Sequence, residues 1–302
     1  MRVTQSMMWR TGMEQLQLQK ARLAKTQEQA STGRRLNRPS DDPVDYRSTL
    51  GLKDSLSQTG RYLRSIDLAR TRMNATEDAI ATATDVLSTA RATAIQAGNS
   101  TNGPAAMAAL RIQVEQLFDQ VLDASNARGP GGGYVFSGVA SDRAAFVQSG
   151  TFVSGSAPPT VAFNGDDSAV SVEIDEGVSI DVTRSGAKVF QGSVDVFETL
   201  GRLWQAIDQD DKAAIGNAQA DLQTALDQLN VERAAIGGSG AKADSFEQRL
   251  QGRQQELTSE ASQLEDVDAY QVYSDLTTQQ SALQQSLAVT ARLQQQTLLN
   301  YL

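Results

Sequence analysis

The chain contains no cysteine and no histidine among its 302 residues. Without them it cannot build a Cys/His zinc site, a disulfide framework, a catalytic thiol or a Ser-His-Asp triad. Aromatic residues make up only 5% of the sequence, which suits long helices better than β-sandwiches or base-stacking surfaces. We therefore expect a protein that is not an enzyme and that holds no catalytic residue, metal or cofactor.

Positive charge and long apolar runs are also scarce. The formal net charge is −9, which argues against nucleic acid as a partner. No run approaches the 18 apolar residues of a membrane span, so we expect no membrane partner. The sequence opens without the apolar core of a signal peptide, so we expect any export to use another route. For the basic cluster of Arg34, Arg35 and Arg38, we expect an acidic surface of a partner as the counterpart.

Heptad spacing of apolar residues dominates the rest of the chain and is typical of long helices that pack along a seam. The spacing predicts helices on both sides of a central region and near both ends. The stripes are Ile66, Met73, Ile80, Leu87 and Ala94; Ile215, Leu222, Leu229 and Ile236; Leu250, Leu257 and Leu264; Leu276, Leu283 and Leu287; and Leu16, Leu23 and Ala30.

Helix-breaking residues divide these stripes. The block Pro39-Ser40-Asp41-Asp42-Pro43 predicts a helix start, because an aspartate can cap the free N–H groups and Pro43 suits the first helical position. Asn102-Gly103-Pro104 predicts a turn between two antiparallel helices. Gly237-Gly238-Ser239-Gly240 predicts one break in the C-terminal helical half.

Between residues 129 and 192 the apolar period changes from 3.6 to 2, which indicates half-buried strands. Alternation at 170–174 and at 178–182 predicts two strands, and Asn164-Gly165 predicts a hairpin turn. The fold class is therefore mainly α with a β insert: a long antiparallel coiled-coil bundle of the N- and C-terminal halves plus a small β domain. The predicted segments are 1–50, an N-terminal assembly helix; 51–128, the first half of a helical rod; 129–192, the β domain; 193–265, the second half of the rod; and 266–302, a C-terminal assembly helix.

The residue patterns that could indicate catalysis, calcium binding or nucleotide binding do not match the spacing that those sites require. Three aspartate pairs, at 41–42, 166–167 and 210–211, lie at expected turns or helix starts, where we interpret them as caps rather than acid/base dyads. We interpret the acidic run 265–268 as a solvated helix face, because it lacks a calcium-loop pattern. The glycine runs 131–133 and 237–240 lack phosphate-loop and dinucleotide spacing, and we interpret both as hinges.

With catalytic and metal-binding motifs set aside, the terminal segments are the best candidates for a function, as surfaces that bind other helices. Residues 1–38 carry a net charge of +6 and residues 240–302 a net charge of −4, so the two ends can lie side by side, although each exposed ion pair contributes only ~0–1 kcal/mol. The glutamine- and leucine-rich end has no charge after Arg292, and such an end is either docked in a core or held for a partner. The predicted assembly residues are Leu16, Leu23, Ala30, Leu276, Leu283 and Leu287.

Several of these segments also resemble a known family. They are Met1-Arg2-Val3-Thr4, the stretch Ser31-Thr32-Gly33-Arg34-Arg35, the motif Asn37-Arg38-Pro39-Ser40-Asp41-Asp42-Pro43, and, around the β insert, Tyr134-Val135-Phe136-Ser137-Gly138 and Val189-Phe190-Gln191-Gly192. Together they resemble the flagellin family, and within it the proteins at the junction of hook and filament. The resemblance covers essentially the whole chain, with Asn37, Pro39, Ser40, Asp41, Asp42 and Pro43 as its strongest motif.

The resemblance implies a secreted structural adaptor of the bacterial flagellum, exported unfolded through the type III apparatus. Its partners would be flagellin, the first hook-associated protein, further copies of itself in a ring layer, and an export chaperone. It also implies that the terminal helices, including residues 1–50, are disordered in the monomer and order on assembly. The alternatives are a flagellin filament subunit, a carboxylate hydrolase built on Asp166 and Asp167 in the β insert, and a cytosolic coiled-coil scaffold.

Overall fold

A computed structural model of the chain describes the backbone of residues 5–299 and the side chains of residues 7 and 9–292. The described part forms seven helices and four short strands. The helices are α1 Gln5–Thr32, α2 Pro43–Gly98, α3 Pro104–Ser125, α4 Gly186–Phe190, α5 Val196–Asp208, α6 Lys212–Glu265 and α7 Ala269–Leu299. The strands are β1 Phe146–Ser149, β2 Thr160–Phe163, β3 Ser171–Asp175 and β4 Val178–Asp181. None of the described helices has a stretch long and apolar enough to cross a membrane.

The chain folds into two compact units. The central unit is Thr59–Gly252, and the terminal unit takes in the residues up to Gln58 and from Arg253 onward. Each unit contains residues from both halves of the sequence, which confirms the predicted pairing of the N- and C-terminal halves. The predicted class, mainly helical with a β insert, is also confirmed.

The larger core of the central unit lies between α2, α3, α5 and α6. The heptad residues of α2 and α6 that meet there are fully buried: Ile80, Leu87, Ala94, Ile215, Leu222 and Leu229. The turn after Gly98 leads into α3, which begins at Pro104 as the Asn-Gly-Pro sequence predicted. Burial of these side chains is the main favourable term in the stability of the unit.

An aromatic cluster joins the β1–β2 hairpin to this core. The ring of Phe190 packs edge-on against Phe136 at 5.2 Å and against Phe146 at 5.4 Å, measured between ring centroids. Phe146 also contacts Phe197 of α5 at 5.2 Å. Phe136 and Phe190 belong to the two segments that flank the β insert, so the cluster brings the start and the end of the insert together.

The β3–β4 hairpin packs on a second, smaller core of the central unit. Ile174, Ile180 and Val182 are buried there against residues of α2 and α6. The alternation predicted both strands, and the structure pairs them antiparallel. The tight turn is at Glu176-Gly177, where Gly177 has φ +68°, a conformation that favours glycine.

The prediction of a hairpin turn at Asn164-Gly165 is wrong. Residue 164 follows β2, which pairs with β1 rather than with the next strand. A Cβ on Gly165 would come within 2.8 Å of the Cα of Ser137 and 2.7 Å of the Phe163 ring. The glycine is therefore needed for close packing of two segments, not for a turn.

The predicted break at residues 237–240 is also wrong, because α6 runs without interruption from Lys212 to Glu265. Glycine costs a helix only about 1 kcal/mol per residue relative to alanine. The helix is anchored on either side of the glycines by the buried residues Ile236 and Ala243. Tertiary packing therefore overrides the local preference.

Asp208 at the end of α5 fixes the loop between β1 and β2. Its carboxylate accepts hydrogen bonds from the Ser154 hydroxyl at 2.7 Å and the Gly155 N–H at 2.9 Å, and it pairs with the Arg111 guanidinium. These donors, the Ser154 hydroxyl first, lower the pKa of Asp208 below its usual value. The ionised form is therefore the one that stabilises the fold.

We expect Asp208→Asn to lower the free energy of unfolding at pH 7 by about 1.5–3 kcal/mol, the usual range for hydrogen bonds to a charged group. Because the folded-state pKa is lowered, the stabilisation is complete above the usual aspartate pKa of about 4 and is lost as the pH falls through the folded-state value. Denaturant unfolding at a series of pH values measures the difference. The control is Asp142→Asn, since the Asp142 side chain is 85% exposed; a pH-independent difference for Asp208→Asn would contradict the prediction.

Candidate functional site

In the terminal unit, α1 packs against α7. Of the predicted assembly residues, Leu16 is buried at 7% exposure. Leu23, Ala30, Leu276 and Leu283 are half-buried, and Leu287 is 46% exposed. Five of the six therefore lie at least half-buried in the unit, and the sixth faces solvent.

Large apolar side chains are exposed on both helices. Tyr270 is 88% exposed and Met7 61% exposed. Apart from Leu287, none of them was predicted, because the heptad count selects the seam between two helices and ignores other faces. Apolar residues left over outside the stripes were the available signal. For brevity we call this set of exposed side chains the outer face, and helix geometry places its members on more than one side of each helix: Met7, Trp9, Met13, Leu18, Tyr270, Tyr273, Leu287 and Val289.

The connection from α1 to α2 is hydrogen-bonded to the connection from α6 to α7. The N–H of Arg35 donates to the carbonyl of Glu265 at 2.6 Å, and the N–H of Val267 donates to the carbonyl of Gly33 at 3.1 Å. We call this joint the clasp and define it as residues 33–45 and 264–268 together with Lys53. It ties together two stretches of chain more than 200 residues apart in sequence.

The Asn37–Pro43 motif forms the N-terminal half of the clasp. Asp42 caps α2, since its carboxylate accepts hydrogen bonds from the N–H groups of Val44 and Asp45 at 3.0 and 3.1 Å. Pro43 is the first residue of the helix. Both features confirm the predicted helix start. Pro39 and Ser40 are exposed in the preceding turn, which is closed by a hydrogen bond from the Asp41 N–H to the Arg38 carbonyl.

Asp41 holds this turn in place. Its carboxylate pairs with the Lys25 ammonium at 2.8 Å and accepts hydrogen bonds from the N–H groups of Asn37 and Arg38 at 3.1 and 3.0 Å. The bond from Lys25, followed by the backbone bonds, lowers the pKa of Asp41 despite partial burial. Asp41 therefore links the last turns of α1 to the turn that starts α2.

Glu265 is the centre of charge on the other side of the clasp. It is only 8% exposed, and its carboxylate pairs with the Lys53 ammonium and lies 4.0 Å from the Arg34 guanidinium. The acidic run 265–268 is therefore not the solvated helix face that was predicted. Asp268 instead caps α7, accepting from the Tyr270 N–H at 2.9 Å.

The basic cluster also finds its counterparts inside the chain. Arg35 pairs with Asp45 and donates to the Leu264 carbonyl at 2.9 Å, while Arg38 pairs with Glu28 at 3.2 Å. The expectation of an acidic partner surface for these residues is thus corrected. Both ion pairs join residues ten positions apart, so the helical spacings of three and four residues could not reveal them.

The aspartate pairs act as caps and turn anchors. Asp211 caps α6 through the N–H groups of Ala213 and Ala214, both at 3.0 Å. Asp166 accepts from the Ser168 N–H at 3.0 Å, and Asp167 accepts from the Ser185 hydroxyl. Asp166 and Asp167 are therefore both used in hydrogen bonds within the β insert. What this molecule offers for function is the outer face and the clasp, which suit association between helices.

Comparison with known families decides the classification of the chain. The bacterial flagellin N-terminal helical region matches residues 3–141, and the bacterial flagellin C-terminal helical region matches residues 220–302. The chain belongs to the flagellin family. In this chain, the two matched regions contain both halves of the clasp and both terminal helices.

Two members of the flagellin family align with nearly the full length of this chain. Flagellar hook-associated protein 3 of Salmonella typhimurium is 24% identical and that of Escherichia coli 26% identical, and each alignment covers 95% of both proteins. The solved structure of a flagellar hook-associated protein from Vibrio parahaemolyticus has a TM-score of 0.67 at 16% identity, covering 75% of this chain and all of that one. The fold is therefore one that hook-associated members of the flagellin family adopt.

Proposed function

We propose that the chain is a structural, non-enzymatic adaptor at the junction of the flagellar hook and filament. The single observation that carries the proposal is the alignment with hook-associated protein 3 over 95% of both sequences. The partners are the first hook-associated protein on the hook side, flagellin on the filament side and further copies of the chain within the layer. The chain reaches this site by export through the flagellar type III apparatus, with an export chaperone as a further partner.

We also propose that α1 and α7 order as a pair only when the subunit assembles. Among their described side chains, the buried ones are Leu16, Thr26 and Val272. Burial of so few side chains in α1 and α7 compensates for only part of the conformational entropy that the two helices lose when they become ordered. Packing of the outer face against neighbouring subunits supplies the rest, while the predicted assembly residues hold α1 and α7 together: Leu16, Leu23, Ala30, Leu276, Leu283 and Leu287. The Asn37–Pro43 motif then closes the clasp in the assembled state.

Deletion of the gene, followed by electron microscopy of the hooks and an immunoassay for flagellin in the medium, tests the adaptor role. We expect bare hooks with flagellin monomer released into the medium, because filament growth cannot start on an incomplete junction. Expression of the chain from a plasmid restores filaments. Bare hooks without released flagellin would instead identify the chain as the filament subunit, and normal filaments would overturn both functions.

A further inference from the structure

One helical turn of the continuous helix α6 consists of Gly237-Gly238-Ser239-Gly240, and we call it the glycine turn. Packing does not explain why these positions are glycine. A Cβ built on Gly237, Gly238 or Gly240 meets no atom within 4 Å, so no close approach within the chain requires them. Glycine exposes the helix backbone to water and has the largest entropy cost of ordering among the non-proline residues. This turn is consequently the weakest part of α6 in the central unit.

The segment 170–184, which contains the β3–β4 hairpin and which we call the strap, contacts α6 on both sides of the glycine turn. Before the turn, Arg184 pairs with Glu232 at 3.4 Å. After it, the Lys242 ammonium donates to the Ser179 carbonyl at 3.2 Å, and Arg249 pairs with Asp175.

Apolar contacts of the strap straddle the turn in the same way. Ile236, directly before the turn, and Ala243, three residues after it, are buried in the second core with Ile174 and Ile180 of the strap. Helix α2 adds ion pairs on both sides, from Glu77 to Arg233 at 3.0 Å and from Arg70 to Asp244 at 2.7 Å. The flanks of the turn are thus held, whereas Gly237 and Gly238 are exposed to solvent and Ser239 and Gly240 are half-buried.

We propose that the glycine turn is a built-in opening point of α6, which the strap holds shut from both sides. Opening breaks a few solvent-exposed backbone hydrogen bonds and leaves both cores intact, since the anchoring residues lie outside the turn. Local openings of this kind cost far less than global unfolding. Every residue involved lies in the central unit, so the device operates whether or not the chain has the assembly role proposed above.

Hydrogen exchange of the full-length monomer, followed by mass spectrometry, tests the opening point. We expect amides of residues 236–243 to exchange at least tenfold faster than those of residues 218–229 in the same helix. Replacing all three glycines (Gly237→Ala, Gly238→Ala and Gly240→Ala) slows exchange at 236–243 at least tenfold. The matched control is Gly216→Ala, which is also exposed in α6 with nothing near its Cβ and leaves the rates at 236–243 unchanged.

The role of the strap is tested with Asp175→Asn combined with Lys242→Met, which removes two polar contacts after the turn and leaves the buried side chains in place. We expect exchange at 236–243 to become at least threefold faster in the wild-type background and to change less in the triple-alanine background. Equal exchange rates at 236–243 and 218–229 in the wild-type chain, or no response to the triple substitution, would overturn the opening point. An unchanged rate in the strap variant would overturn the role of the strap.

Discussion

Phe190→Ala is expected to lower the free energy of unfolding of the central unit by about 3–5 kcal/mol, the range found for buried phenylalanines. Phe190 is fully buried and its ring meets three others, those of Phe136, Phe146 and Phe197. Its removal leaves a cavity at the point where the β insert returns to the helices. The surrounding rings are held by separate elements and can close that cavity only in part.

Denaturant unfolding of the purified chain measures this effect. Val153→Ala is a suitable control, because Val153 is 53% exposed and its truncation should change stability by no more than about 0.5 kcal/mol. The loss in the free energy of unfolding for Phe190→Leu should lie between the losses for Val153→Ala and Phe190→Ala. A loss below about 1 kcal/mol for Phe190→Ala would mean that the aromatic cluster does not hold the insert to the core.

Leu16→Asp and Leu18→Asp are each expected to reduce filament formation at least tenfold, for different reasons. Leu16 is 7% exposed and Leu18 53% exposed, so the first places a charge in the seam between α1 and α7 and the second places it on the outer face. An unpaired carboxylate buried in an apolar contact costs several kcal/mol. That cost is repeated in every subunit of the assembled layer.

A deletion strain that expresses each variant, scored by counting filaments, tests both substitutions. Gln17→Asp adds the same charge at an exposed polar position of the same helix and should leave filament number unchanged.

Under the ordering proposed above, a protease should cleave residues 9–32 and 269–292 equally in all purified monomers. Full filament formation by Leu18→Asp would contradict an assembly role for the outer face, and protection of these residues in a dilute wild-type monomer would contradict ordering on assembly.

The sequence pattern was a good guide wherever burial repeats at a regular period. The heptads of α2 and α6 predicted their seams correctly, because a seven-residue repeat can be buried only along a helical face. Proline and aspartate at residues 42–43 predicted the helix start, since capping depends on adjacent residues. Both kinds of signal are local or periodic.

Most of the wrong predictions concern residues whose role depends on distant segments. Gly165 is required by a contact with Ser137, and the glycine turn stays helical because Ile236 and Ala243 are anchored by another element. The charge of Glu265 is neutralised by Lys53, which lies 212 residues away in sequence, so no local window contains both. The outer face, apart from Leu287, was missed for a different reason: its other residues do not repeat at the seam period.

The clasp has a mechanical consequence. Its two backbone hydrogen bonds and its ion pairs join the connection that ends α1 to the connection that starts α7. A pull on either terminal helix therefore loads the same set of bonds, and the force is divided between α2 and α6 instead of passing into one of them. Bonds that are loaded together share the stress, whereas bonds loaded one after another break in sequence. A pull on one end of the chain is in this way resisted by bonds that both connections make.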